Sequence, residues 1–206
     1  MAQYNIIAEN ENYTIVSDYQ SAYRTSEKYQ TEAQLEQELI KNLTEQGYEY
    51  LAIHTEKDLV DNLRVQLQRL NDYTFTDSEW ERFFNDVIAN PNEGIEAKTA
   101  KIQEDHIQVL KRDTGETKNI YLIDKRNIHN NYLQVINQYE EEQGNHDARY
   151  DVSILVNGLP LVHIELKRRG VQLKEAFNQI DRYQRDSFWA GCGLYEYVQI
   201  FVISNG

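Results

Sequence analysis

The stretch that decides the fold is RYDVSILVNGLPLVHIELKRRGVQLKEAFNQIDRY, which covers residues 149–183. Residues that favour strands flank Asn157-Gly158, and Asn-Gly between two such runs is the strongest short-range signal for a β-hairpin. Beyond Gly170, apolar residues recur three or four positions apart up to about residue 186, which predicts an amphipathic helix. The stretch therefore predicts two antiparallel strands followed by a helix.

Three charged side chains stand where this hairpin would bring them together. Asp151 begins the first strand, and Glu165 and Lys167 lie two positions apart near the end of the second, so these two share a face. The turn places Asp151 close to Glu165, and adjacent carboxylates are costly unless a proton or a cation lies between them. Oxygen ligands suit Mg²⁺, and a neighbouring lysine can orient or help deprotonate a water molecule. These are the parts required for metal-assisted hydrolysis of a phosphodiester.

A second interpretation of the same residues is an exposed, salt-bridged strand edge, because charges often protect sheet edges. The predicted helix favours the first interpretation. Gln179 and Tyr183 are four positions apart and share one of its faces, although Tyr183 also fits a core aromatic with a satisfied hydroxyl. Residues 161–185 carry six basic and three acidic side chains, a local net charge of +3 in a chain of −13. A basic strip beside paired carboxylates suits an enzyme that acts on a polyanion.

Changes of hydrophobic period organise the rest of the chain. A capping-box spacing at Thr31 opens a helix that runs to Gly47. Two further helices are expected over 57–70 and from Thr76 to Asn90-Pro91, and their apolar stripes are typical of core-facing surfaces. The remaining predictions are an N-terminal extension over 1–29 without a sustained pattern, a helical insertion over 55–100, strands over 106–112, 117–124 and 132–139, and a buried final strand, YVQIFVIS, over 197–204.

Composition narrows the class of protein further. The 206 residues are ample for one packed domain, and no apolar run approaches the roughly 20 residues of a membrane span. The single cysteine, Cys192, excludes an internal disulfide framework and indicates a reducing cytoplasm. As a whole-chain average, the net charge of −13 argues against nucleic acid as a partner.

The histidines and the phosphate-binding motifs offer no competing chemistry. His163 shares the face of Glu165, and we interpret it as a strand histidine beside the site because Mg²⁺ prefers oxygen ligands. The other four histidines show no ligand spacing, and with one cysteine a zinc site is not expected. The sequence also lacks the G-x-x-x-x-G-K-[ST] loop of ATP-driven motors.

The pattern D-x13-E-x-K, followed by Q-x-x-x-Y, resembles the RecB-like branch of the PD-(D/E)XK nuclease superfamily. Residues 149–183 closely resemble the N-terminal nuclease domain of the restriction (motor) subunit of type I restriction-modification enzymes. The similarity extends to TEAQLEQELIKNLTEQGYEY, FTDSEWERFF, NIYLIDKRN and FVISNG. The resemblance implies an α/β (α+β) fold whose central mixed sheet is flanked by helices, with a helical insertion, in a single endonuclease domain over 1–206.

The resemblance also implies roles for individual residues. The implied metal ligands are Asp151 and Glu165, beside the catalytic Lys167. Gln179 and Tyr183, the Q-x-x-x-Y pair, are implied to contact DNA or to support the site. For Arg168 and Arg182, the same role is expected from the local basic charge rather than from the resemblance. Many relatives place a glutamate of the first helix near the metal, and both Glu32 and Glu36 fit that position. The one departure is at the proline of the signature, where this chain has Tyr150.

The implied activity is Mg²⁺-dependent cutting of duplex DNA, without sequence reading, in a cytoplasmic complex with methyltransferase and specificity subunits. ATP would be used only by motor domains that follow the nuclease domain in the family, so we expect this chain to be the N-terminal part of a longer subunit. Two alternatives remain open. One is a module that binds DNA or a partner and does not cut in isolation, and the other is a stand-alone repair or junction-resolving nuclease.

Overall fold

A five-stranded mixed sheet forms the centre of the structure, a computed structural model that describes residues 5–9, 14–17, 30–141, 148–168 and 193–204. In chain order the strands are β1 (Asn5–Glu9), β2 (Thr14–Ser17), β3 (Glu49–Tyr50), β4 (Ile107–Lys111), β5 (Thr117–Tyr121), β6 (Leu133–Glu141), β7 (Ala148–Val156), β8 (Leu159–Leu166) and β9 (Ile200–Ser204). The α-helices are α1 (Glu32–Glu45), α2 (Glu56–Asn71), α3 (Asp77–Phe83) and α4 (Ile95–Gln103). Shorter helical turns are a π-helical turn over Phe84–Ile88 and 3-10 turns over Ile128–Asn130 and Leu194–Tyr197.

The strands of the central sheet follow the order β3-β6-β7-β8-β9. The middle strand β7 is antiparallel to both β6 and β8, whereas β3 and β9 run parallel to their neighbours. The pairs β1–β2 and β4–β5 form separate antiparallel hairpins. The mixed α/β architecture that the sequence predicts is therefore confirmed.

Apolar side chains cover both faces of the sheet. On one face, Leu35 of α1 packs with strand residues that include Val152 and Leu166. On the opposite face, the apolar stripes of α2 and α3 join a larger cluster that includes Tyr139 and Tyr150. Burial on both faces fixes the register of the central strands, because a slip of one residue would exchange the two sets of side chains.

The capping boxes predicted at the starts of two helices are both present. Thr31 caps α1 and Thr76 caps α3, each with its side chain and the side chain of its third following residue making the reciprocal bonds. α1 ends before Gly47, which has φ +95°, and α2 covers the predicted range 57–70. These boundaries follow from local sequence, because caps and left-handed glycines act within one helical turn.

α4 lies largely within the helical insertion expected over 55–100 but was not predicted as a separate helix, and its composition explains why. This helix buries Lys98 and Lys101 together with Ile102, so its core-facing side does not read as an apolar stripe. The Lys98 ammonium is paired with Glu196 and donates to the Gly193 carbonyl, while Lys101 is paired with Glu93. The charged face of α4 can therefore be buried because acidic residues from elsewhere in the chain pair with its lysines.

Two predicted hairpins are confirmed. β7 and β8 join through Asn157 and Gly158, whose φ values are +52° and +85°, and β4 pairs with β5 across residues 112–116. A Cβ atom at Gly158 would lie 2.6 Å from Cα of Leu63. The turn therefore needs a glycine both for its backbone conformation and for its contact with α2.

Two expectations differ from the structure, and a third concerns residues that the structure does not describe. The final strand was predicted to be buried, but β9 is the last strand of the described sheet, and Ile200 is 55% exposed. The buried residues of the apolar run, Tyr197 and Val198, lie at the end of a 3-10 turn and directly after it, and the strand begins only at Ile200. The N-terminal extension contains the unpredicted β1–β2 hairpin. The helix predicted after Gly170 lies outside the described residues.

Among the residues that are described, no helix has both the length and the apolar character needed to cross a membrane.

Candidate active site

The predicted site lies where the central sheet divides. The last residue pair between β7 and β8 is Val152 with Ile164. Beyond it, β7 stays paired with β6 as far as Ala148, and β8 stays paired with β9 as far as Leu166. Asp151 and Glu165 are the next residues after the last β7–β8 pair. The fold therefore brings them together at the point where the two strands separate.

Asp151 holds the two separating strands together through its side chain. Its Oδ2 accepts a hydrogen bond of 2.8 Å from the backbone N–H of Leu166. Burial, followed by the negative charge of Glu165, raises the pKa of Asp151 from its ordinary 3.8 to about 6, although the bond from Leu166 opposes the rise. Asp151 and Glu165 thus flank the point where β7 and β8 part, as the hairpin predicts.

The buried Glu165 and the partly exposed Lys167 form an ion pair on one face of β8. Lys167 Nζ donates to Glu165 Oε1 at 2.6 Å, while Leu166 between them packs into the cluster on the opposite face. Burial, the largest influence, lowers the pKa of Lys167, but its hydrogen bond to Glu165 and the charges of nearby carboxylates outweigh burial and raise it. The lysine is therefore held as a cation.

The second oxygen of Glu165 has a different environment. Glu165 is fully buried, and its Oε2 has no hydrogen-bond partner among the described residues. Nε2 of His163 lies 3.6 Å from this oxygen. A buried carboxylate oxygen without a donor is unfavourable unless another group completes it, and a hard divalent cation held jointly with Asp151 would do so. The residues present therefore fit Mg²⁺.

Aromatic side chains pack around His163, the neighbour of Glu165. The ring of His163 meets Tyr150 edge-on at 5.2 Å between centroids, and Tyr150 contacts Tyr195 at 4.4 Å. The hydroxyls of Ser153 and Tyr195 are 3.0 Å apart, which ties the 3-10 turn before β9 to β7. Tyr195 and Ser153 were missed from sequence, because nothing in the local pattern joins residues 42 positions apart.

The two glutamates of α1 make different contacts. Glu32 Oε1 accepts a hydrogen bond of 3.1 Å from the Arg168 backbone N–H, and the charge of Glu32 contributes to the raised pKa of Lys167. Glu36 is buried, and both of its oxygens accept bonds from side-chain amides of β6. Among the described residues there is no group of three or more His, Cys, Asp or Glu able to hold a metal, at Asp151 and Glu165 or elsewhere, so the expected approach of Glu32 or Glu36 to a metal stays a prediction.

The other predicted site residues are only partly accounted for. The side chain of Arg168 is exposed beyond the end of β8. Gln179, Arg182 and Tyr183 lie outside the described residues, so their predicted roles stay predictions.

Comparison with known proteins gives one consistent family. Residues 29–206 match the family model described as the type I restriction enzyme R protein N terminus. The chain is 48% identical over 201 residues to the type I restriction enzyme EcoprrI endonuclease subunit of Escherichia coli, a match that covers 97% of this chain and 64% of that protein. It is 40% identical over 183 residues to the SsaAORF53P endonuclease subunit of Staphylococcus saprophyticus, covering 86% of this chain and 19% of that protein.

A more distant match has the same kind of name. The putative type I restriction enzyme MjaVIIIP endonuclease subunit of Methanocaldococcus jannaschii is 30% identical over 148 residues, which cover 68% of this chain and 14% of that protein. The chain thus spans about two thirds of the Escherichia coli relative and about a fifth of the staphylococcal one. With a family model that matches residues 29–206, the chain belongs to the family of type I restriction enzyme R protein N termini.

Proposed function

We propose that this chain carries a Mg²⁺-dependent endonuclease site that hydrolyses phosphodiester bonds of duplex DNA, as the nuclease part of a type I restriction enzyme R subunit. The observation that carries the proposal is the buried Glu165. One of its oxygens is paired with Lys167 and the other has no donor among the described residues, and Asp151 lies beside it where β7 and β8 part. The names of the relatives, endonuclease subunits of type I restriction enzymes, support the same activity.

The proposed fold is the PD-(D/E)XK core. Three features support it: a mixed sheet with antiparallel inner strands, a helix on one face that directs glutamates toward the strands, and a hairpin that ends in the Glu-x-Lys sequence. In this proposal residues 1–206 form one endonuclease domain, and the helices over 55–100 are an insertion into it.

The chemistry divides between the metal and the side chains. When bound, Mg²⁺ would supply a Lewis acid at the phosphate and lower the pKa of an attacking water. Asp151 and Glu165 would hold that ion. Without the metal, the bond to Glu165 and the nearby carboxylates raise the pKa of Lys167. Beside the bound ion, Lys167 would orient the water and offset negative charge that develops on the phosphate.

The substrate and the partners belong to the whole enzyme. We propose that motor domains in the rest of the subunit use ATP to move DNA, that cutting follows this translocation without sequence reading, and that specificity and methyltransferase subunits complete a cytoplasmic complex. The net charge of −13 predicts weak DNA binding by the chain alone. Delivery of DNA by the motor domains and the partner subunits would overcome the electrostatic repulsion between this acidic chain and DNA.

Cleavage by the assembled enzyme tests the proposal. Asp151→Ala and Lys167→Ala should each lower DNA cleavage by about 100-fold or more, while ATP hydrolysis by the same complexes stays at the wild-type rate. The matched control is Asp61→Ala, which removes an exposed carboxylate of α2 paired with Lys57 and should leave cleavage unchanged. Wild-type cleavage by either site variant would refute the assignment.

A second candidate function is a module that binds DNA or the methyltransferase partner without cutting when alone. The ion pair between the buried Glu165 and Lys167 is consistent with it, since the lysine already neutralises the carboxylate in the absence of a metal. Mn²⁺ binding measured with the wild-type chain and with Glu165→Ala separates the two. A metal site lost with Glu165 supports the nuclease, and no Mn²⁺ binding by the wild-type chain supports the binding module. A stand-alone nuclease would cut DNA without the other subunits.

A further inference from the structure

One residue of β6 has a backbone conformation that strands rarely contain. Gln138 has φ +54°, in the left-handed region, in the middle of a nine-residue strand. The β6–β7 ladder pairs Asn137 with Val152 and Tyr139 with Tyr150, and between these pairs Gln138 stands opposite Asp151 without pairing. The irregular position in β6 thus faces the proposed metal ligand in β7.

The irregularity exchanges the faces of both strands. Residues two apart in a regular strand point to the same side. Here Asn137 bonds to α1 on one side of the sheet, while Tyr139 joins the core on the other side. In β7, Val152 packs on the α1 side and Tyr150 on the opposite side. The change of face imposed at Gln138 is therefore matched at Asp151, which lies at the crossing point.

A set of side chains from other elements holds this conformation. The two oxygens of Glu36 accept bonds from the side-chain amides of Asn137 and Gln138, and Asn137 Oδ1 accepts a bond of 2.9 Å from Tyr50 Oη. On the backbone side, Nδ1 of His54 lies 3.2 Å from the Gln138 carbonyl oxygen. A left-handed residue other than glycine persists only where its surroundings determine it, and such positions cluster at functional sites.

We propose that Glu36 is a positioning residue rather than a metal ligand: it holds Asn137 and Gln138 so that the irregularity in β6 sets Asp151 beside Glu165. The inference rests on the proposed function, because it gives Asp151 a metal to bind. Both carboxylate oxygens of Glu36 are already used by amide donors. A positioning residue needs only these two amide contacts, which an amide at position 36 can also make, whereas a metal ligand needs the negative charge of the carboxylate.

The amide chemistry of Gln138 makes the two roles distinguishable. Its Oε1 is buried and has no hydrogen-bond partner among the described residues. With Glu36→Gln, the Gln138 amide can therefore turn, so that its oxygen accepts from the new amide and both contacts survive. Gln138→Glu instead places a carboxylate against Glu36 and should drive the two apart. In the double variant, an amide at position 36 accepts from Asn137 and donates to the carboxylate at 138.

Mn²⁺ binding to the full chain, measured by titration calorimetry, tests the inference. We expect Glu36→Gln and the double variant to bind Mn²⁺ within about threefold of wild type, and Gln138→Glu alone to bind about ten to a hundred times more weakly, as for other groups that orient ligands. Thermal unfolding in EDTA supplies a metal-free reading of whether each variant is folded. If Gln138→Glu does not fold, Gln138→Leu removes the donor without adding charge, and the same loss is expected.

Two results would overturn the positioning role. One is a loss of Mn²⁺ affinity in Glu36→Gln as large as that in Asp151→Ala, which would make Glu36 a ligand. The other is wild-type affinity in Gln138→Glu and Gln138→Leu. Asp151→Ala separates this outcome from failure of the proposed function. If Asp151→Ala binds Mn²⁺ like wild type, the proposed metal site is wrong; if it abolishes binding while the Gln138 variants do not, only the positioning role is wrong.

Discussion

Replacing Gly158 with alanine measures how closely the β7–β8 turn packs on α2. Gly158 has φ +85°, and forcing an L residue into that region costs roughly 1–2 kcal/mol. The added Cβ would lie 2.6 Å from Cα and 3.1 Å from the backbone nitrogen of Leu63. Because these are helix backbone atoms, the turn or α2 must shift, at a cost typical of overpacking, roughly 1–3 kcal/mol. We expect Gly158→Ala to lower the free energy of unfolding by about 2–5 kcal/mol in total.

Gly115→Ala is the matched control. Gly115 also has φ +85° in a hairpin turn, but a Cβ there would have nothing within 4 Å. This variant should therefore lose only the conformational part, about 1–2 kcal/mol. Equilibrium unfolding in urea measures both losses on the same chain. Equal losses in the two variants would refute the contact between the turn and Leu63, because backbone strain alone would then account for Gly158.

The remaining predictions concern buried charges. The pKa of Asp151, about 6, lies above its ordinary 3.8, so the folded state binds the proton more tightly than the unfolded state. In EDTA the free energy of unfolding should thus fall as the pH rises from about 4 to about 6, and Asp151→Asn should abolish that fall; an unchanged pH profile would contradict it. Lys98→Met leaves Glu196 buried without its partner and should cost about 3–5 kcal/mol, with much of it recovered by adding Glu196→Leu. Lys57→Met, at an exposed ion pair, should leave the free energy of unfolding nearly unchanged in the same urea assay.

The secondary structure that could be predicted depends on neighbours in sequence. The helix caps at Thr31 and Thr76 and the turn at Asn157-Gly158 were predictable because each conformation is decided within a few residues. The helix α4 was not predictable in this way, because Lys98 and Lys101 are buried only through Glu196 and Glu93, their partners elsewhere in the chain. β9 was predicted to be more buried than it is, because an apolar run does not reveal whether a strand has a neighbour on each side.

The sequence by itself determined that Asp151, Glu165 and Lys167 lie toward the open end of one hairpin. Asn157-Gly158 predicts the turn, and strand alternation puts Glu165 and Lys167 on one face. The register that brings Asp151 next to Glu165 also depends on an irregularity in the β7–β8 pairing between Ile154 and Leu155, which the turn does not reveal. Only the tertiary structure decided how that cluster is supported. The left-handed Gln138 is bonded to Glu36, about 100 positions away in the sequence. The contact between Tyr150 and Tyr195 forms only when the turn before β9 packs on β7. Such contacts depend on which elements become neighbours, which the period of a single segment does not encode.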